Sequence, residues 1–272
     1  MPAADHDIGA PWNRPFSALD PNPSRLLRLV HDGDFSCEYQ PLVVPANGSI
    51  GGYEALARFW LDGREVVPSS VFRDAHTDPA LFLVLESELK SLQLRHRPPE
   101  VPLFLNLHPS VCGRPHLFDH WVGLFSHADN VVVELVESSR VLDFSQLHRF
   151  VRALQDAGIP CALDDVGSPQ SLFSFELLEA CSYLKLDRRW LDRIQTDPAY
   201  LAILEGMLTF ARRKNIGTVL EGVENSGHML WARRLGIDLV QGYRFAAQFQ
   251  RPMSEEPTRV ISPISSLSAV GG

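Results

Sequence analysis

Asp164 and Asp165 stand side by side at the end of the apolar run Cys161-Ala162-Leu163, with Gly167 close behind. Adjacent carboxylates at the edge of a core repel one another unless a cation lies between them, one takes a proton, or one turns to solvent. The same pattern recurs along the chain. Glu54 lies in GGYEALARFW, Asn106 closes VPLFLN, Glu134 sits in VVVELVE and Glu221 closes IGTVLE. These six side chains are oxygen donors with no convergent His or Cys set, which suits Mg²⁺ or Mn²⁺ better than Zn²⁺. Several carboxylates at one site can hold two cations about 3.5–4 Å apart with an Asp between them, a device that steadies charge on a phosphoryl group during in-line displacement. Lys185 in SYLKLD would position a water or neutralise developing charge, and Arg58 offers a bidentate grip on phosphate.

Something must bring these residues to one place, and the order of elements supplies it. After a proline-rich stretch, with five prolines in residues 1–23, a short helix RLLRLVHDG ends at Gly33. SCEYQPLVV reads as a first strand containing Gln40, and GGYEALARFW as a second, with a turn at Asn47 and Gly48 between them. Glu54 and Arg58, four apart in a period of two, share a face of that strand. Helical spacing runs from Ser70 to about Arg95 and is stopped by Pro98-Pro99. VPLFLN, VVVELVE, CALDD, SYLKLD, IGTVLEGVE and DLVQGY then follow as strands. Helical stretches alternate with them: LFDHWVGLF, FSQLHRFVRALQDAG, Pro198 to Lys214, and GHMLWARRLG. Eight strands alternating mostly with helices predict a (β/α)8 TIM-like barrel, in which strand C-terminal ends converge on one mouth. A doubly wound open sheet is the alternative, but the chain lacks a G-x-G-x-x-G turn. The predicted barrel covers residues 22–252, with an irregular leader at 1–21 and a flexible tail at 253–272.

Bulk properties narrow the surroundings. The 272 residues are 45% hydrophobic, enough for a sizeable core. A net charge of −8 argues against broad attraction to duplex nucleic acid or anionic membrane. No apolar run approaches the ~18 residues of a membrane span, and no secretory signal is visible. Cys37, Cys112, Cys161 and Cys181 lie far apart with no C-x-x-C pair, which reads as reduced, buried thiols in a cytoplasmic protein.

Taken together, these motifs resemble the EAL-domain cyclic di-GMP phosphodiesterases. YQPLVV at 39–44 is similar to that family's YQPIV, YEALARF at 53–59 to its EALxRW, and LNLHPS at 105–110 to its N-L-S-P element. ELVES at 134–138 looks like E-x-T-E-S, DDVGS at 164–168 like DDFGT, and LKLD at 184–187 like I-K-I-D. LEGVE at 220–224 and QGYRF at 241–245 resemble EGVE and QGYxF.

The resemblance implies a barrel whose first strand runs antiparallel to the others, and a substrate, cyclic di-GMP, opened to linear pGpG. It implies two Mg²⁺ or Mn²⁺ ions held by Glu54, Asn106, Glu134, Asp164, Asp165 and Glu221, with Asp164 bridging. Lys185 and Glu221 would act on the attacking water, Glu221 as general base. Gln40, Arg58, Asp187 and Gln241 would contact substrate, and Glu137 would hold the loop after the fifth strand. A homodimer is implied as well. With no second folded domain expected on either side of the barrel, a sensor or regulatory protein would be a separate chain or a contact through the leader or tail.

One departure falls in that loop, where Pro169 stands in place of a usual glycine and fixes φ near −65° without an N–H. His108, Val136 and Gln248 depart from the pattern less. Loop chemistry therefore keeps a second reading open: an EAL-type cyclic di-GMP receptor or protein-interaction module with little or no turnover.

Overall fold

The computed structural model describes residues 23–74, 77–108, 117–135, 144–169 and 174–252. The expected leader at 1–21, the tail at 253–272, Glu137 and Cys112 lie outside the described residues.

A helix, α1 (Pro23–Asp32), buries Leu26 and Leu29 and turns at Gly33, whose φ is 68°. Strands β1 (Phe35–Val43) and β2 (Ile50–Leu61) follow as an antiparallel hairpin in which Gln40 lies opposite Glu54. Its turn uses the residues suited to it: Gly48 has φ 77°, and Asn47 Oδ1 accepts the Ser49 backbone N–H at 3.0 Å. A short strand β3 (Arg64–Val66) folds back on β2, an addition the sequence reading did not include.

The helix expected from Ser70 to Arg95 is two helices, α2 (Pro68–Arg73) and α3 (Pro79–Arg95). The reason is local chemistry. Asp78 Oδ1 accepts the Leu81 N–H at 3.0 Å and Pro79 occupies the first turn, where its missing N–H costs nothing, so a new helix starts there.

Parallel strands then alternate with helices: β4 (Leu103–Leu107), α4 (Phe118–Ser126), β5 (Val131–Leu135), α5 (Phe144–Asp156), β6 (Cys161–Val166), α6 (Phe175–Ala180) and β7 (Tyr183–Leu186). Next come α7 (Arg189–Thr196), α8 (Pro198–Lys214), β8 (Gly217–Leu220), α9 (Ser226–Leu235), β9 (Leu239–Val240) and a 3₁₀ segment at Tyr243–Gln248. Helix α8 carries both its stop signals, with Arg212, Arg213 and Lys214 in the last turn and Asn215 in the left-handed conformation at φ 56°.

The strand order is β1-β9-β8-β7-β6-β5-β4-β2-β3, and the β1–β2 pairing closes it into a barrel with β3 as an outer appendage. Strand β1 is antiparallel to both neighbours, whereas β2 and β4 to β9 pair in parallel. The fold is the TIM-like barrel with an antiparallel first strand.

Inside the barrel, Leu42, Phe104, Val132, Ala162, Val219 and Leu239 form an apolar floor, with Tyr183 packed against it. Phe104 and Tyr183 meet edge to face at 5.0 Å. Gly52 is the floor position of β2: a Cβ there would come 3.3 Å from the Phe104 ring and 3.4 Å from Leu42, so the missing side chain makes room for Phe104. The larger core lies outside, between strands and helices, where Phe82, Trp121, Phe150 and Leu204 are buried.

The start of α3 gives a direct test. Asp78→Ala removes the Leu81 cap and is expected to lower the unfolding free energy by about 1 kcal/mol in denaturant titration. An unchanged midpoint would show that the helix break does not depend on this cap.

Candidate active site

Side chains two apart on a strand share a face, and this rule stacks the polar residues on the floor. Asn106 lies two residues beyond Phe104, Glu134 beyond Val132, Asp164 beyond Ala162, and Lys185 beyond Tyr183. Glu221 and Gln241 stand in the same relation to Val219 and Leu239. On β1, which runs the other way, Gln40 precedes Leu42. Each strand thus contributes apolar bulk below and a polar group above. The polar groups open into a cavity of about 940 Å³, lined among others by Gln40, Glu54, Asn106, Asp164, Lys185 and Glu221.

Lys185 is the centre of this layer. Its Nζ lies 2.8 Å from Glu134 Oε1, 2.9 Å from Asp164 Oδ1, 2.9 Å from Glu221 Oε1 and 3.5 Å from Glu54 Oε1, with 1% of the side chain exposed. Burial alone would lower the ammonium pKa, but Asp164, Glu134, Glu221 and Glu54 together raise it well above its ordinary value. Glu54 is further held by Asn106 Nδ2 (2.6 Å) and Gln241 Nε2 (2.5 Å). Burial pushes its carboxyl up, yet Lys185 and these hydrogen bonds outweigh that and keep it below its usual value. Glu134 goes the other way: burial, and then the charge of Glu54, raise it well above the usual carboxylate range. Glu221 is pushed up to about 8 by burial and by Asp164, Glu54 and Asp165.

Asp164 and Asp165 are neighbours in sequence, and in a regular strand they would point to opposite faces. They do not. The β6–β7 register shifts between Leu163 and Val166, and Asp165 sits at φ 52° in the left-handed region that a short polar side chain tolerates. This bulge brings carboxylate oxygens of Asp164, Asp165 and Glu221 within 4.8 Å of one another. Burial, followed by the charges of Asp164 and Asp187, raises Asp165 to about 6. Behind the bulge, Trp190 Nε1 donates to Val166 O at 2.8 Å. Gly167, at φ 97°, passes so close to that indole that a Cβ would lie 2.2 Å from Nε1.

The donor set fits divalent cations. Four carboxylates surround one ammonium, two of them lie at ligand spacing with Asp165, and neither buried oxygen of Glu134 has a hydrogen-bond donor beyond the Lys185 ion pair. Hard cations relieve this kind of crowding.

The wall formed by β1 and β2 carries the remaining expected residues. Gln241 Nε2 approaches Gln40 Oε1 at 3.4 Å, and Gln40 Nε2 donates to Glu38 Oε1 at 3.2 Å. Arg58 forms an ion pair with Glu38 and a longer one with Glu65 at 3.7 Å. Glu38 is buried and also accepts from Arg251 Nε at 2.6 Å. The sequence reading assigned roles to neither Glu38 nor Arg251. Glu38 was findable, because it lies two residues before Gln40 and so on the same face. Asp187 is set back, with Oδ1 accepting the Arg189 N–H at 2.7 Å at the start of α7, a helix the sequence reading also passed over.

Comparison with known proteins follows this geometry. The family model described as "EAL domain" matches residues 24–248. The cyclic di-GMP phosphodiesterase RocR of Pseudomonas aeruginosa is 29% identical over 247 residues, covering 87% of this chain and 62% of RocR. The probable cyclic di-GMP phosphodiesterase PdeG of Escherichia coli is 26% identical over 231 residues, covering 81% and 46%. The chain therefore spans less than two thirds of the length of either relative. Among solved structures, the PaMucR phosphodiesterase in its c-di-GMP complex superposes with TM-score 0.69 at 22% identity, covering 84% of this chain and 96% of that one. The Bacillus subtilis YkuI protein, with an EAL domain and in complex with c-di-GMP and calcium, superposes with TM-score 0.71 at 20% identity, covering 89% and 61%. At these identities the two structures establish the fold. No helix among the described residues is long and apolar enough to cross a membrane.

Removing the central charge tests the electrostatics. In chelator-treated protein, Lys185→Met is expected to cost roughly 3–5 kcal/mol of unfolding free energy, because it strands four carboxylates without a counter-charge. Wild-type stability in that variant would show that the carboxylates do not depend on Lys185.

Proposed function

The chain belongs to the EAL-domain family, and on that footing we propose that it is a metal-dependent phosphodiesterase hydrolysing cyclic di-GMP to linear pGpG, which lowers the level of that second messenger. The observation that carries this reading is the cluster at one barrel mouth: Glu54, Glu134, Asp164 and Glu221 surround Lys185, Asp165 joins Asp164 and Glu221, and Glu54, Asn106, Asp164 and Glu221 line the cavity. Those six residues would hold two Mg²⁺ or Mn²⁺ ions, with Asp164 between them. When bound, the ions supply positive charge to the phosphoryl group being displaced.

The protein's own groups do the rest. Glu221 takes the proton of the attacking water as the new P–O bond forms and the ring P–O bond breaks. Lys185 holds the carboxylates in register and faces the developing charge. Gln40, Arg58 and Gln241 line the wall against which the substrate lies, and Asp187, close enough to raise Asp165, supports the site from behind. Glu137 would steady the loop after β6. Action as a homodimer, and control by a separate sensor chain, belong to this proposal as well.

Purified protein incubated with Mg²⁺ or Mn²⁺ should convert cyclic di-GMP to the linear dinucleotide, resolved by chromatography. Chelation should stop the reaction, and Glu221→Ala should slow it by on the order of 10²-fold or more. Glu54→Ala should cut turnover likewise. Tight binding without product would sink the enzyme reading.

That outcome would support a receptor, and one observation favours keeping it in view. Pro169 follows directly on the turn in which Ser168 N–H donates to Asp165 O at 2.9 Å, so its locked φ bears on the segment leaving Asp165. If this restraint limits catalysis, Pro169→Gly should raise the turnover number with little change in substrate affinity. Unchanged turnover would clear the proline of any role.

A further inference from the structure

The mouth is electrically two-sided. Above the apolar floor, four carboxylates surround one ammonium, while the β1–β2 wall carries guanidinium groups. On that wall Glu38 stands one rung nearer the rim than Gln40, opposite Leu56 and diagonal to Arg58. Glu38 Oε1 pairs with Arg58, and Oε2 accepts from Arg251 Nε at 2.6 Å. Hydrogen bonds from Arg251 and Gln40, together with the Arg58 charge, overcome the effect of burial and hold the Glu38 carboxyl below its usual value.

Arg251 is delivered here by a clamp on the residue before it. Gln250 N–H donates to Tyr39 O at 3.0 Å, Gln250 O accepts from Tyr39 N–H at 2.8 Å, and Gln250 Nε2 donates to Tyr53 Oη at 2.6 Å. Arg251 still has 56% of its side chain exposed, and both arginines line the cavity. Glu65, half exposed and 3.7 Å from Arg58, is a second carboxylate on this wall, so charges of the two signs balance there. What the wall offers an anion is donors: most of the Arg251 N–H groups are unspent, since only Nε is engaged with Glu38.

We infer that Arg58 and Arg251, yoked by Glu38, form a paired-guanidinium anion site, in which Arg251 binds the second, non-reacting phosphodiester of the substrate and Glu38 is the positioning residue. The inference rests on the cyclic dinucleotide reading. Such a substrate brings two phosphates, and the carboxylate layer, with the cations it would hold, accepts the one that reacts. The other would be repelled by the carboxylates unless it met cationic hydrogen-bond donors, and the unspent N–H groups of Arg251 supply them. Arg251 and Glu38 fall outside every motif that carries the family resemblance, and Arg251 lies beyond the residues 24–248 that the family model matches.

The test compares the full chain with Arg251→Ala and Arg251→Lys on two substrates, cyclic di-GMP and bis(p-nitrophenyl) phosphate, which has a single phosphodiester. Arg251→Ala is expected to raise KM for cyclic di-GMP about tenfold, the scale of one charge-assisted hydrogen bond. The turnover number should stay within about twofold, as expected when only uniform binding is lost. Arg251→Lys should recover part of the loss, and the small diester should be unaffected. An unchanged KM, or an equal loss on both substrates, overturns the inference. Arg251→Gln, with a side-chain amide in place of the guanidinium, replaces the alanine variant if that one loses thermal stability. Should wild type turn over neither compound, the hydrolase reading falls and the anion site is judged separately by calorimetry with inorganic pyrophosphate: weaker binding by Arg251→Ala supports it, and equal or absent binding overturns it.

Discussion

The mouth of this barrel depends on one ammonium. Closing the strands into a ring forces carboxylates from β2, β5, β6 and the end of β8 toward a common axis, and Lys185 is the protein's own cation on that axis. Without it the strand ends would be driven apart by charges that burial cannot screen. Lys185 does not balance the cluster, however. Burial first, and then the neighbouring carboxylates, leave Glu134 and Glu221 with carboxyls pushed upward. A divalent cation would complete the neutralisation that Lys185 begins.

The apolar floor matters as much as the charges. Six buried side chains at matching levels of their strands fix the height at which the next inward-facing residue emerges. A polar group two residues further on is therefore lifted to the rim of a packed layer rather than left within it. This is why a lysine that an isolated strand would turn to solvent is instead wholly enclosed here.

Much of this was legible in the sequence, for a physical reason. Alternation at period two writes both floor and rim into each short strand, so Phe104 with Asn106, or Val219 with Glu221, announces its own geometry. The parts that were not legible depend on contacts distant in sequence or on backbone states that residue type only permits. Nothing in CALDDV requires the bulge that turns Asp165 toward Asp164, since it arises from the register with β7 and from a left-handed residue. The break between α2 and α3 could have been read from Asp78-Pro79, but apolar periodicity continues across it. Arg251 lies beyond the last matched motif and meets Glu38 only because Gln250 is clamped to β1.

The reversed direction of β1 gives the ring an uneven seam. β1 is stitched to β2 along its whole length, yet on its other side it meets β9 at a single strand pair, Val43 with Val240, supplemented by the bridge between Tyr39 and Gln250. Regarded as a hoop, the barrel has one thin joint. That joint runs beside Gln40 and Gln241, whose side chains face one another across it at 3.4 Å. The residues proposed to grip a ligand on this wall are thus also the stitches of the weakest closure, and a molecule bridging Gln40, Arg58, Gln241 and Arg251 would finish the ring that the backbone leaves thin.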